Sequence, residues 1–320
     1  MRPAVYITRK LPDSILQHLS GHVHIKMWDK ENEPVPQEIL QEEIREADGL
    51  LCLLTDQVDE KLLSGAPHLK IAANMAVGYN NIDVAAAAKR RIIVTNAPGV
   101  LTETTADLTF ALLMAAAQRL VESSDFLRAG NWSAWTPMEL TGQDIYGATL
   151  GIIGMGRIGQ ALARRAKGFN MRIVYHNRSR KPEVEKELGL DFYTDLYDML
   201  PVCDYVCILV PYTSELHHFI GEKEMNAMKQ TAVLINTARG GLVDEEALFT
   251  ALSTGKLFAA GLDVFEKEPV NPDSPLLSLS NLVTLPHIGS ASRATRLKMA
   301  KLAADNIIAV LSGKPPLTPV

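Results

Sequence analysis

A short glycine-rich stretch near the middle of the chain restricts the possible fold more than any other feature of the sequence. Residues 149–166 read TLGIIGMGRIGQALARRA, so Gly154, Gly156 and Gly159 follow an apolar run and precede an amphipathic one. Gly154 permits a tight turn, and Gly159 lets a helix pack closely against the preceding strand. This order of strand, glycine turn and helix predicts a parallel β-sheet covered by helices.

The same alternation of apolar strands and helices runs along the whole chain. Strands are predicted at AVYIT, VHIKMW, GLLCLL, KIAANM and RIIVTN, and again at TLGIIG, MRIVYH, YVCILV, AVLINT, FAAGLDV and NLVTLP. Between the two series a long helix is predicted from about Thr102 to Arg128, and a final helix from about Ser292 to Leu311. Breaks at Pro98 and Pro286 predict two domains. One is discontinuous, with residues 1–99 and 287–320, and the other spans residues 100–286.

Composition excludes several classes of function. The net charge of -5 argues against a general nucleic-acid binder. The longest apolar stretch, LTFALLMAAA at residues 108–117, is about half the length needed to cross a membrane. The start of the chain, MRPAVYITRK, lacks the apolar core of a signal peptide. Cys52, Cys203 and Cys207 predict reduced, packed thiols of a cytoplasmic protein.

The glycine spacing also predicts a ligand. Gly156 would let the backbone approach a pyrophosphate, and the following helix would offer its N–H groups and partial positive charge to the phosphates. A glycine-rich turn without a ligand is the alternative. The strand before the motif and the helix after it are the context that a dinucleotide site requires, and they favour that reading.

A basic loop follows the second strand of this unit. An acidic residue at that point would bind a ribose 2′-hydroxyl and select NAD. The sequence instead has Asn177, Arg178, Ser179 and Arg180. Arginine forks and a hydroxyl suit a phosphate, so the loop predicts binding of the 2′-phosphate of NADP, with NAD still possible. An exposed basic surface loop is the alternative.

Three later segments supply residues suited to carbonyl reduction. Arg239 follows the strand AVLINT, where it can orient a carboxylate and a carbonyl. His287 in TLPHIGSAS can donate a proton, and Glu268 can hold its imidazole in the protonated form. Singly, these residues could be a surface ion pair, a loop histidine and a solvated acid. Beside a dinucleotide turn they predict a reductase of 2-oxo acids.

With these motifs the chain resembles the D-isomer-specific 2-hydroxyacid dehydrogenases, and within them the glyoxylate/hydroxypyruvate and 2-ketogluconate reductase group. The resemblance covers nearly the whole chain. Its motifs are NMAVGYNNID, NAPGVLTETTADLTFALLMAAAQR, LGIIGMGRIGQALARRA, NTARGGLVDEEAL, AAGLDVFEKEP and LPHIGSA. It implies an α/β fold of two Rossmann-like domains, one flavodoxin-like and one dinucleotide-binding, with parallel sheets and a cleft between them. The discontinuous domain would bind substrate.

The resemblance also implies roles for individual residues. The catalytic set would be Arg239, Glu268 and His287. The substrate set would be Val77, Gly78, Arg239 and Ser290. The cofactor set would be Thr104, Gly154, Gly156, Arg157, Ile158, Gly159, Asn177, Arg178, Ser179, Arg180, Pro211, Thr237, Ala238, Asp263 and Gly289, with Asp263 at the nicotinamide carboxamide. Family members are usually dimers joined through the nucleotide domain, and they need no metal. We therefore interpret His217 and His218 as surface or helix-start residues.

The predicted activity is NADPH-preferring reduction of glyoxylate to glycolate and of hydroxypyruvate to D-glycerate. A 2-ketogluconate reductase, or another D-2-hydroxyacid dehydrogenase, would use the same chemistry on a different substrate. A dinucleotide-sensing corepressor occurs on the same fold but would be expected to carry interaction tails. The expected partner is a small 2-oxo acid, with no nucleic acid and no membrane, and the expected assembly is a homodimer. The sequence leaves open the roles of Trp132 and Trp135.

Overall fold

The computed structural model describes residues 2–320, which form two compact α/β units. The first unit contains the described chain up to Leu101 together with Ser290–Val320. The second unit contains Thr102–Gly289. The boundaries predicted from the sequence, after residues 99 and 286, lie two and three residues before these divisions.

Both units alternate strands with helices. The strands are β1 (Ala4–Ile7), β2 (His24–Met27), β3 (Gly49–Cys52), β4 (Ile71–Asn74), β5 (Ile93–Thr95), β6 (Thr149–Ile153), β7 (Arg172–His176), β8 (Asp191–Tyr193), β9 (Tyr205–Ile208), β10 (Val233–Asn236), β11 (Ala259–Leu262) and β12 (Leu282–Thr284). The α-helices are α1 (Asp13–Ser20), α2 (Gln37–Glu43), α3 (Glu60–Ser64), α4 (Val84–Lys89), α5 (Thr102–Ala117), α6 (Leu120–Arg128), α7 (Arg157–Lys167), α8 (Pro182–Leu188), α9 (Leu196–Met199), α10 (Glu222–Ala227), α11 (Glu245–Ser253) and α12 (Arg293–Leu311).

The first unit is built on a parallel sheet with the strand order β2-β1-β3-β4-β5. Every residue of β3 and β4 is buried, as the apolar runs GLLC and IAA predict for strands covered on both faces, and the polar Asn74 at the end of β4 is buried as well. The last helix, α12, packs against β3, β4 and α1. His18 on α1 and Asp305 on α12 share a 2.6 Å hydrogen bond that joins these two helices.

The second unit is built on a longer parallel sheet with the order β12-β11-β10-β9-β6-β7-β8. The chain starts at β6 in the interior of the sheet, proceeds outward through β7 and β8, and then returns to β9 on the other side of β6. The direction of winding therefore reverses between β6 and β9. In open parallel sheets, ligands bind outside the carboxyl ends of the strands at such a point. The glycine turn and Pro211 follow these two strands.

The helix predicted from Thr102 to Arg128 is in fact two helices, so that prediction was wrong in its middle. Helix α5 ends at Ala117, and α6 begins at Leu120 after Arg119, whose φ of 51° is left-handed. The carbonyl of Ala117 accepts the N–H of Gln143 at 2.9 Å, a partner from beyond the helix. A distant segment of the chain thus takes over the helix terminus, which no local glycine or proline signals.

The remaining sequence predictions of structure are mostly confirmed. All the predicted strands form, but β8 was missed because it is three residues long, only partly buried and lies at the edge of its sheet. Cys52, Cys203 and Cys207 are buried free thiols, as expected. Cys203 lies so close to Gly151 that an added Cβ on that glycine would be 2.4 Å from its sulfur. Among residues 2–320, no helix is both long enough and apolar enough to span a membrane.

Candidate active site

The glycine turn has the geometry that a pyrophosphate site needs. Gly154 follows β6 with φ of +106°, and a Cβ there would be 2.7 Å from the backbone of Leu209. A Cβ on Gly159 would be 2.2 Å from the carbonyl oxygen of Gly154. These two glycines are therefore required by packing. A Cβ on Gly156 would have no neighbour within 4 Å, and no side chain caps the helix that begins there. The turn thus leaves an open cradle before the N–H groups of α7, which fits a dinucleotide.

The basic loop after β7 treats its two arginines differently. The side chain of Asn177 donates to the carbonyl of Ser179 at 2.8 Å and shapes the turn. Arg180 is exposed, and its guanidinium makes a two-pronged ion pair with Glu185 on α8. Arg178 is also exposed, and it has no hydrogen bond or ion pair to any residue from 2 to 320. One of the two predicted phosphate ligands is therefore free, and the other is already occupied.

Glu268 and His287 lie in contact, although 19 residues separate them in the sequence. The Nδ1 atom of His287 is 2.6 Å from Oε2 of Glu268, and the other carboxylate oxygen accepts the N–H of Phe265 at 3.0 Å. Burial raises the pKa of Glu268, but the hydrogen bond and charge of His287, with help from Phe265 and Arg239, bring the pKa below its ordinary value. Glu268 is therefore an anion that holds Nδ1, which leaves Nε2 of His287 for a substrate.

The side chain of Asp263 accepts two backbone hydrogen bonds from the loop that contains His287. It is fully buried at the end of β11, and its two carboxylate oxygens accept the N–H groups of Ile288 and Gly289, both at 2.7 Å. Burial raises the pKa of Asp263, while these two hydrogen bonds and the charge of His287 lower it in part. The family resemblance implies that Asp263 lies beside a cofactor. It gave no sign that this side chain also fixes the backbone directly after His287.

Arg239 is held by the turn that follows β10. The buried side chain of Asn236 accepts the N–H of Ala238 at 3.0 Å and donates to the carbonyl of Arg239 at 2.8 Å. Burial lowers the pKa of Arg239, and the charge of Glu268 opposes that shift. Directly after it, a Cβ on Gly240 would be 1.8 Å from the backbone of Phe265. The two loops therefore touch backbone to backbone, which brings Arg239 to the loop of Glu268.

A separate loop in the first unit has free donors. The carbonyl of Val77 accepts a 2.7 Å hydrogen bond from the side-chain amide of Asn96. The carbonyl of Gly78 accepts a 2.9 Å hydrogen bond from the side-chain amide of Asn74. Among residues 2–320, neither Val77 nor Gly78 donates its own N–H to an acceptor. Because the carbonyls are fixed and the N–H groups are not used, the loop is suited to bind an anion such as a carboxylate.

The other residues predicted from the sequence are described within their own units. Thr237, which follows β10, shares a 2.7 Å hydrogen bond with Thr109 on α5. Thr104 lies in the first turn of α5, and Arg157 and Ile158 begin α7. Pro211 is exposed after β9, and Ser290 is half-buried before α12.

Comparison with known proteins identifies the family. Residues 110–289 match the family described as D-isomer specific 2-hydroxyacid dehydrogenase, NAD binding domain.

The chain belongs to the D-isomer-specific 2-hydroxyacid dehydrogenases.

Individual relatives agree with this assignment over the full length. The chain is 50% identical to a glyoxylate reductase of Korarchaeum cryptofilum, over 99% of this chain and 95% of that protein. It is 51% identical to a glyoxylate reductase of Aeropyrum pernix, over 98% and 95%. Among solved structures, the NADPH-dependent glyoxylate/hydroxypyruvate reductase of Sinorhizobium meliloti, in complex with NADP and malonate, matches with a TM-score of 0.87 and 36% identity, over 100% of this chain and 97% of that one.

This dehydrogenase contains one cluster of polar side chains that the sequence interpretation missed. His217 and His218 lie in a turn directly after a short 3₁₀ helix, where His217 is exposed and His218 is partly exposed. His218 contacts Glu266 at 2.8 Å and Asp244 at 3.7 Å. These three residues offer ligand atoms within 4.8 Å of one another. The carboxylates are 26 and 48 residues away in sequence, so a search for ligands near the two histidines could not find them.

Proposed function

We propose that this dehydrogenase reduces small 2-oxo acids, namely glyoxylate to glycolate and hydroxypyruvate to D-glycerate, and that it prefers NADPH. The observation that carries the proposal is the contact between His287 and Glu268 next to Arg239, at the carboxyl ends of β10, β11 and β12. The names of the relatives support the choice of substrates.

The positions of the donors support the following catalytic roles. When bound, the reduced nicotinamide supplies the hydride for the carbonyl carbon. His287 gives the proton from Nε2 to the carbonyl oxygen as that oxygen gains charge. Glu268 holds Nδ1 and stabilises the imidazolium before the proton is transferred. Asp263 keeps the histidine loop in place through the N–H groups of Ile288 and Gly289.

Arg239 binds and polarises the substrate in this proposal. A guanidinium can donate two parallel hydrogen bonds, one toward the substrate carboxylate and one toward the carbonyl oxygen. Partial burial strengthens the interaction of this charge with a substrate, because fewer water molecules compete for it. Val77 and Gly78 keep the role that the resemblance gives them, as donors to the substrate carboxylate. Their free N–H groups support it, and Ser290 stays in the proposed substrate set.

The cofactor would be held by the glycine turn and the loops around it. The open cradle at Gly156 supports the pyrophosphate assignment, and the unpaired Arg178 supports binding of a 2′-phosphate, with Asn177 and Ser179 beside it. The other proposed contacts are Thr104, Arg157, Ile158, Pro211, Thr237, Ala238, Asp263 and Gly289. NADH would still bind, because the pyrophosphate and ribose contacts do not depend on the extra phosphate.

A homodimer is proposed as the assembly. Several large apolar side chains of the second unit are exposed between residues 120 and 146, and single chains seldom leave so many of them together in water. They are Leu120, Val121, Leu127, Trp132, Trp135, Met138 and Tyr146. Light scattering should give twice the chain mass. The buried free thiols support a reducing compartment, and we propose the cytoplasm.

The deciding experiment is a panel of 2-oxo acids, each assayed with NADPH and with NADH. We expect the highest kcat/KM for glyoxylate or hydroxypyruvate with NADPH, and a much lower value for 2-ketogluconate and for longer acids. A higher kcat/KM for 2-ketogluconate than for either small acid would replace the proposed substrates. A higher value with NADH would remove the proposed cofactor preference and leave the reaction type in place.

A further inference from the structure

Arg178 and Arg180 of the basic loop differ in their electrostatic surroundings, because Arg180 forms an ion pair with Glu185. Nε of Arg180 is 3.0 Å from both carboxylate oxygens of Glu185, and its Nη2 is 2.8 Å from Oε2. Glu183 and Glu187, on the same helix, make no such contact in the described chain. The pairing is therefore a property of one glutamate and one arginine, and it does not reflect a generally acidic helix.

Glu185 accepts hydrogen bonds from Tyr175 as well as from Arg180. The hydroxyl of Tyr175 donates to Oε1 of Glu185 at 2.7 Å, and the same hydroxyl accepts the N–H of Lys181 at 2.8 Å. Tyr175 is fully buried in β7, so its hydroxyl has little freedom to move. The hydrogen bond from Arg180, with that from Tyr175, lowers the pKa of Glu185. The glutamate is thus an anion in a fixed position at the base of the basic loop.

We infer that Glu185 is a specificity-determining residue, which neutralises Arg180 and leaves Arg178 as the arginine that distinguishes a 2′-phosphate from a 2′-hydroxyl. This inference rests on the proposed use of NADPH. A 2′-phosphate carries nearly two negative charges. Near Arg178 it meets an unpaired cation, whereas near Arg180 it meets a pair of zero net charge. Glu185 therefore limits the preference for NADPH over NADH.

The inference can be tested by equilibrium binding, without turnover. The probes are 2′,5′-ADP, which carries the 2′-phosphate, and 5′-ADP, which lacks it, both measured by titration calorimetry. In Glu185→Gln the charge disappears, while the amide oxygen still accepts hydrogen bonds from Tyr175 and Arg180. We expect 2′,5′-ADP to bind about threefold to tenfold more tightly, because Arg180 gains an uncompensated charge in an exposed, screened loop. Binding of 5′-ADP should stay the same.

The matched control is Glu183→Gln, which makes the same change of charge on the same helix at a residue that has no partner among residues 2–320. It should alter binding of 2′,5′-ADP by less than about twofold, since an exposed, unpaired charge is strongly screened. An equal gain in both variants would mean that net charge, and not the pairing with Arg180, sets the affinity, and the inference would then be wrong.

The double variant gives the sharpest result. Arg180→Gln alone should weaken binding of 2′,5′-ADP, because it leaves Glu185 as an uncompensated anion. Arg180→Gln with Glu185→Gln should restore parental affinity to within about twofold, since it removes two charges that cancel. If Arg180 instead contacts the phosphate, the double variant will bind as weakly as the single Arg180 variant, and this would overturn the inference.

One further variant separates the inference from the proposed function. Arg178→Gln should weaken binding of 2′,5′-ADP about tenfold and leave 5′-ADP unchanged. If Arg178→Gln weakens binding of 2′,5′-ADP and Glu185→Gln leaves it unchanged, the proposed use of NADPH is retained and only the role of Glu185 is wrong. If the parent protein binds the two probes equally, both the NADPH preference and the role of Glu185 are wrong.

Discussion

The loop of His287 and the basic loop of residues 177–181 both follow strands of the second sheet, but their side chains are held in opposite ways. Glu268 holds the imidazole of His287, and the buried carboxylate of Asp263 holds the two N–H groups that come next. In the basic loop Arg178 is exposed and unpaired among the described residues. A group that must donate a proton to one atom needs a fixed position, whereas a group that attracts a phosphate needs free charge.

This contrast predicts different sensitivities to substitution. In the proposed reaction, a small displacement of the histidine loop changes the distance over which His287 transfers its proton, so we expect a large effect on rate. A change in the basic loop alters an exposed electrostatic interaction, which salt screens and which affects binding alone.

The largest effect is expected at Arg239, whose turn contacts the loop of Glu268. Arg239→Lys keeps a positive charge but loses the planar fork that can bind a carboxylate and a carbonyl together. We expect kcat/KM for glyoxylate to fall by about a hundredfold or more, since positioning and polarisation both suffer. Steady-state kinetics and NADPH binding, measured on the same sample, should show the loss in the first and almost none in the second.

The control for this variant is Arg172→Lys, because Arg172 also forks onto a carboxylate, that of Asp191, but lies exposed at the start of β7. It should leave kcat/KM unchanged. A near-parental rate in Arg239→Lys would remove Arg239 from the site.

Asp263→Asn should have the next largest effect. An asparagine has one acceptor oxygen, so one of the N–H groups of Ile288 and Gly289 would face an amide donor instead of an acceptor. A buried donor without a partner costs about 1–3 kcal/mol. We expect the histidine loop to shift and kcat/KM to fall about tenfold to a hundredfold, with a lower melting temperature by calorimetry.

The variant Asp204→Asn distinguishes a lower stability of the fold from a displacement of His287. Asp204 also accepts a backbone N–H, that of Thr149, at 2.8 Å, but it lies at the opposite end of the strands. This variant should melt earlier and keep its rate per folded molecule. If Asp263→Asn behaves in the same way, Asp263 supports the fold and does not position His287.

Glu268→Gln should move the dependence of rate on pH. The pKa of Glu268 is lowered, so the parent keeps this carboxylate ionised until the pH falls below the usual range of a glutamate. Below that range the carboxylate gains a proton and no longer stabilises the imidazolium of the proposed donor His287, so the rate of the parent should fall on the acid side. In Glu268→Gln no carboxylate titrates at this position, so kcat/KM should be lower at neutral pH and the acid-side fall should be absent. A matched change two residues earlier, Glu266→Gln, removes a carboxylate that contacts His218 instead, and it should leave the acid-side fall in place.

How much of the molecule could be predicted from the sequence differs between the fold and the site. The strands on both sides of the glycine turn were found because buried strands are continuous apolar runs. The end of α5 was missed because Gln143, a residue 26 positions away, supplies the partner of the Ala117 carbonyl. The edge strand β8 was missed because three residues carry too little pattern to recognise.

At the site, residue types were predictable and partners were not. The residues of the proposed catalytic set stand out in the sequence because each follows an apolar strand. Two features depend on distant pairings that residue spacing does not encode. They are the hold of Asp263 on Ile288 and Gly289, and the pairing of Arg180 with Glu185. The sequence therefore predicts two arginines, Arg178 and Arg180, for a phosphate, whereas among residues 2–320 only Arg178 is unpaired.

The smallest effect is expected in the basic loop, and it should appear in binding rather than in rate. Asn177→Asp with Arg178→Ile places an acid where it can accept from a ribose hydroxyl and removes the unpaired cation. We expect affinity for NADPH to fall about tenfold, because a screened, charge-assisted contact is worth about 1.5 kcal/mol and each 1.4 kcal/mol is a factor of ten. Affinity for NADH should hold or improve, and kcat with saturating NADPH should stay close to parental because the proton donor is untouched. The parental preference should also shrink as salt is raised, whereas the loss in Arg239→Lys should not depend on salt. If the double variant weakens both cofactors equally, or if salt acts on both losses alike, the two loops do not differ in the way their contacts indicate.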